Sequence, residues 1–156
     1  MKLLPIIVAG GFICCSAANA VTSLGGTVTI NIAGKFNNPV TPTASVKCEA
    51  IVQLVPNNLN AAISSLTLGS VLSALGEENA SAQGVIATGG ATFTCAATVP
   101  YRWQNIDPTM VQMAIIYVVW ATDPGGTNPG KKKQLVEVIP IPVTGIVTTL
   151  NVKSVV

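Results

Sequence analysis

Hydrophobic and polar residues alternate with a period of two along several short stretches of the chain, the pattern of strands with one face buried and one face wet. In Thr27-Val28-Thr29-Ile30-Asn31-Ile32, the residues Val28, Ile30 and Ile32 share one face, until Asn37-Asn38-Pro39 and Pro42 break the pattern. From Val46 to Val55, the residues Val46, Cys48, Ala50, Val52 and Leu54 lie on one face and Lys47, Glu49 and Gln53 on the other. Pro56-Asn57-Asn58 ends that run. Ala91 to Val99 directs Phe93, Cys95, Ala97 and Val99 inward and Thr92, Thr94 and Thr98 outward, and Tyr101 and Trp103 continue the inward parity.

Met110 to Ala121 is apolar on both faces from Ala114 onward, as a central strand covered on both sides would be. A helix competes for a run of this length. The β-branched Ile115, Ile116, Val118 and Val119, with turns at Asp107-Pro108 and Asp123-Pro124-Gly125-Gly126, favour a strand. Gln134 to Val143 carries Pro140 and Pro142, two residues apart, so both missing N–H groups lie on one side. Such a strand can pair on one side only and belongs at a sheet edge. Ile146 to Val156 alternates again. Leu59 to Leu75 fits either a short helix or a crossover strand, and Glu77 to Gly90 reads as a polar loop with a short strand at Val85-Ile86.

The start of the chain has a different character. Met1-Lys2, an apolar stretch from Leu3 to Ala18 and the small residues Ala18-Asn19-Ala20 have the layout of a secretory signal peptide with its cleavage site. Residues 1–20 are therefore expected to be removed, leaving a mature domain of residues 21–156 in the periplasm or outside the cell. Cys14 and Cys15 would leave with the leader. The remaining Cys48 and Cys95, both on the apolar faces of their strands, are expected to form one core disulfide in that oxidising compartment. About seven short strands, regularly spaced turns and one inter-strand disulfide predict an all-β, antiparallel, immunoglobulin-like sandwich.

Composition narrows the chemistry. The chain has no histidine, is 9% charged and carries a formal charge of +2. The absence of histidine excludes Ser-His-Asp and Cys-His catalysis and histidine metal sites. So small a net charge gives no field for nucleic acid or an anionic membrane. No cofactor is implied. Glu77-Glu78 is a loop pair, and Asp107 and Asp123 each precede a proline, so the acids read as solvated groups and turn formers rather than a catalytic pair. Lys131-Lys132-Lys133 reads as a solvated hairpin tip or as protection for an edge strand. Among the aromatics, Tyr101 and Trp103 are candidates for stacking on a ligand, set against simple packing near the disulfide.

The segment Gly25-Gly26-Thr27-Val28 with the alternation after it, then Cys48 and a second cysteine at position 95, resembles the start of chaperone–usher fimbrial subunits. The resemblance implies an incomplete immunoglobulin-like sandwich completed by the N-terminal strand of the next subunit, with Val28, Ile30 and Ile32 as the donor-strand residues and a chaperone or further subunits as partners. The residues themselves allow the stripe to pack either in its own domain or in a neighbour. The expected function is that of a non-enzymatic secreted structural or interaction protein, fimbrial or adhesive in type. A periplasmic or extracellular module binding a glycan or peptide is the alternative.

Overall fold

The computed structural model describes residues 23–57, 76–126 and 130–156. Its elements are β1 (Leu24–Lys35), β2 (Ser45–Pro56), β3 (Glu77–Gln83), β4 (Val85–Ile86), β5 (Thr92–Trp103), β6 (Val111–Thr122), β7 (Gly130–Pro140) and β8 (Val147–Val155). They form two four-stranded sheets, one in the order β4-β5-β1-β8 (sheet A) and one in the order β3-β2-β6-β7 (sheet B). The expected leader and the ambiguous stretch Leu59 to Leu75 lie outside the described residues.

Alternation places the core. Val28, Ile30 and Ile32 of β1 and Phe93, Cys95, Ala97 and Val99 of β5 face Val46, Cys48, Ala50, Val52 and Leu54 of β2 and Met113, Ile115, Tyr117 and Val119 of β6 in one buried cluster. Cys48 and Cys95 form a disulfide between the two sheets, with their Cα atoms 6.2 Å apart. Strand β6 is central in sheet B, and its outward-facing Ala114, Ile116 and Val118 are buried as well. That explains why both of its faces are apolar. Strand β7 lies at the edge of the same sheet and ends at Pro140, where a missing N–H breaks no ladder.

Three features differ from the sequence expectations. The sandwich is not wholly antiparallel: β1 runs antiparallel to β5 but parallel to β8, in register from Thr27 opposite Val147 to Lys35 opposite Val155. Alternation specifies which face a residue takes, and it is silent on strand direction. Parallel neighbours need a long connection, and here nearly the whole domain intervenes between them. The strands number eight among the described residues, rather than about seven. The additional one is β3, within the stretch expected to be loop. Its sequence Glu-Glu-Asn-Ala-Ser-Ala-Gln is polar because it forms an edge with one exposed face, while the small Ala80 and Ala82 pack against the core.

The loop between β1 and β2 is held from two sides. Phe36 packs on Phe93 with ring centroids 5.1 Å apart, and Val40 is buried with its N–H donating to the Gly90 carbonyl at 2.9 Å. Gly90 has φ +68°, and a side chain there would meet the Val40 backbone. The position requires glycine on both counts.

Candidate functional site

The outward faces of β5, β1 and β8 carry mostly threonine, asparagine and alanine, with lysines toward one end. The register aligns Thr98, Thr29 and Thr149 in one row, Ala96, Asn31 and Asn151 in the next, and Thr94, Ala33 and Lys153 in a third. Within the rows, the Thr29 and Thr98 hydroxyls share a hydrogen bond of 3.0 Å, and the Asn31 side-chain amide donates to the Asn151 carbonyl oxygen at 3.0 Å. Such cross-strand pairs hold side chains in place on a strand surface.

Two adjoining depressions open on this face. One, of about 540 Å³, is lined by Asn31, Ala33, Gln83, Val85, Thr94, Ala96, Asn151 and Lys153, together with the backbone beneath them. The other, of about 510 Å³, shares Ala33, Thr94 and Lys153 and continues past Gly34, Lys35, Thr92 and Val155. The hollow arises because Ala33 and Ala96 are short where their neighbours are long. Amides, hydroxyls and two lysines form its walls, and no carboxylate lines either depression. This chemistry offers many neutral hydrogen bonds over an apolar floor, with mild positive charge at one end.

The residues singled out in the sequence lie elsewhere. Val28, Ile30 and Ile32 are buried within the chain's own sandwich, between β5 and β8. Tyr101 and Trp103 stack on one another with centroids 4.8 Å apart and are 3% and 7% exposed, so neither presents a face to solvent. Burial raises the Tyr101 phenol above the usual tyrosine range. Among the described residues, its hydroxyl and the Trp103 indole N–H have no hydrogen-bond partner. Trp120 is the more accessible aromatic. It sits on the opposite sheet, with the Lys47 and Lys131 ammonium groups 5.7 and 5.3 Å from its ring centroid.

The acids do not converge. Asp107 accepts hydrogen bonds from the Thr109 hydroxyl at 2.6 Å and the Thr109 N–H at 2.9 Å, which together hold its carboxyl below the ordinary range. Asp123, expected to be solvated, is instead buried. It accepts from the backbone N–H and hydroxyl of Thr41, tying the β6–β7 turn to the β1–β2 loop. Glu77 accepts from the Gln53 amide. Among the described residues, no group of three or more histidine, cysteine or acidic side chains is placed to hold a metal ion.

The alternation marks Thr92, Thr94 and Thr98 as outward, but not the depression that Thr92 and Thr94 help to build. Their alternation was visible, whereas the adjacency of β1 and β8, which brings Asn151 and Lys153 beside Asn31 and Ala33, had no local signal. No family model, curated protein or solved structure matches the chain.

Proposed function

We propose that the protein is a non-enzymatic secreted interaction protein, adhesive in type and built on an immunoglobulin-like sandwich, that takes a neutral polar ligand such as a glycan on the outer face of sheet A. The observation that supports this reading is the double depression around Ala33 and Ala96, walled by Asn31, Thr94, Asn151 and Lys153. The Asn31 and Asn151 amides, held in a cross-strand pair, are already oriented, so a polyhydroxyl ligand would lose little to their ordering on binding. The apolar floor would receive the faces of its rings.

The test is a glycan-array screen followed by titration of the best ligand against the parent protein and Ala96→Arg, which fills the hollow from an outward-facing position. Binding should weaken by tenfold or more while the thermal midpoint stays within about a degree, as expected for a surface change. Undiminished binding by Ala96→Arg would rule out this face as the site.

A further inference from the structure

We infer that the outer edge of β8 is a self-pairing surface, on which a second copy of the chain adds its own β8 antiparallel to the first and joins two sheets A into one. An unpaired strand edge is a template for another strand, and proteins usually protect such edges with proline, charge, brevity or a bulge. The other edges here are protected. Strand β3 is seven residues long and begins Glu77-Glu78, and β5 carries Pro100 beyond the two-residue β4. Strand β7 has Lys131, Lys132 and Lys133, ends at Pro140 and pairs irregularly near Ile115 and Ile116. Strand β8, Val147-Thr-Thr-Leu-Asn-Val-Lys-Ser-Val155, has no proline and pairs with β1 without a register shift.

Among the described residues, the hydrogen bonds show which backbone groups of β8 have no partner strand. At one end of the β1–β8 pair the Thr27 N–H donates to the Ile146 carbonyl, and at the other the Val156 N–H donates to the Lys35 carbonyl. Bonded residues alternate along a parallel strand. The even-numbered residues of β8 therefore point their backbone groups at β1, and Val147, Thr149, Asn151, Lys153 and Val155 point theirs away. The Tyr117 hydroxyl, which reaches the Lys153 carbonyl at 3.4 Å from the core, agrees with that parity.

The same five residues complement themselves. About a two-fold axis at Asn151, Asn151 faces its own copy, Thr149 faces Lys153, and Val147 faces Val155. Every facing pair is of the hydrogen-bonding kind, for about ten backbone bonds in all. Val147 and Val155, 63% and 54% exposed, would cover one another. Leu150 and Val152, only partly buried at the margin of the core, would meet their counterparts. The edge's one charge opposes a threonine, and the two copies of Lys153 stand about 14 Å apart along the strands, beyond the Debye length at ordinary ionic strength. A one-residue slip would set bonded groups against unbonded ones, and a two-residue slip would uncover one valine at each end and lose a facing pair. An edge-to-edge contact of this size lies at the small end of stable interfaces, and the dimer should dissociate on dilution.

The experiment is sedimentation of the oxidised protein over a concentration series to about 1 mM, alongside Thr149→Pro, with Asn151→Cys tested for cross-linking. Among the described residues the Thr149 N–H has no partner strand, so proline there should abolish the dimer and leave the monomer folded. Facing Cα atoms about 5.5 Å apart suit a disulfide, so Asn151→Cys should give a covalent dimer with a 151–151 linkage, and Thr98→Cys, on the same face but away from the edge, should not. If Thr149→Pro fails to fold, the Asn151→Cys linkage decides alone. A protein that stays monomeric throughout, a dimer indifferent to Thr149→Pro, or Asn151→Cys that cross-links no better than Thr98→Cys would overturn the inference.

Discussion

Gly34 lies opposite Phe93 in the β1–β5 ladder, and a Cβ built on it would fall inside the Phe93 ring. The ring is 2% exposed and packs against Phe36, so it cannot swing away without disturbing the core. Gly34→Ala should gain about 0.5–1 kcal/mol from a stiffer unfolded chain, and lose about 1–3 kcal/mol from overpacking. The net loss falls between about 0 and 2.5 kcal/mol and is centred near 1 kcal/mol, roughly 4 °C in thermal midpoint for a domain of this size. Phe93→Leu removes the ring and makes room for the new methyl. Cost in the double variant Gly34→Ala/Phe93→Leu should therefore fall short of the sum of the single costs by about 1 kcal/mol. Urea and thermal unfolding of oxidised protein, followed by tryptophan fluorescence and circular dichroism, would measure all three variants. Gly34→Ala at or above parental stability, or single costs that add within about 0.5 kcal/mol, would refute this account of the position.

Cys48→Ala should cost about 4 kcal/mol, the chain-entropy value for a closed loop spanning 47 positions, read from the shift in urea midpoint. Alkylation followed by mass spectrometry should find no free thiol at Cys48 or Cys95 in the native protein. Because burial raises the Tyr101 phenol, the folded state holds that proton more tightly than the unfolded chain, whose tyrosines ionise near pH 10. Stability from this group is complete below about pH 10 and declines as pH rises toward the folded value, and Tyr101→Phe should flatten the alkaline limb of a stability–pH curve. Deleting residues 21–33 should leave the chain insoluble, since β5 and β8 both pair with β1. A truncated chain that stays folded with a periplasmic chaperone and no longer polymerises would instead favour strand donation to a neighbour.

Much of the fold was legible because burial in a strand is a local parity. The facing stripes of Cys48 and Cys95, the doubly apolar run through Ile115 and Ile116, and the edge placement marked by Pro140 each follow from a few adjacent residues. Strand β3 escaped because an edge strand needs only one modest apolar row, and Ala80 and Ala82 supply that row without any large hydrophobe. The burial of Asp123 depends on Thr41, far away in the chain, and could not be read from the turn sequence around it. The depression on sheet A was hidden for a similar reason. Its floor and walls come from β1, β5 and β8, and lateral strand order leaves no trace in any one of them.

The parallel pairing of β1 with β8 also has a mechanical side. The chain enters β1 at Leu24 and leaves β8 at Val155, at opposite ends of two strands that run the same way. Tension applied before the first strand and after the last would pull them past one another lengthwise, so that their evenly spaced bonds bear load together instead of parting one at a time. The Cys48–Cys95 bridge would then keep the loop between those residues from paying out. Stretched between two attachments, the domain should resist by shear first and, after it yields, extend less than the same chain would without the bridge.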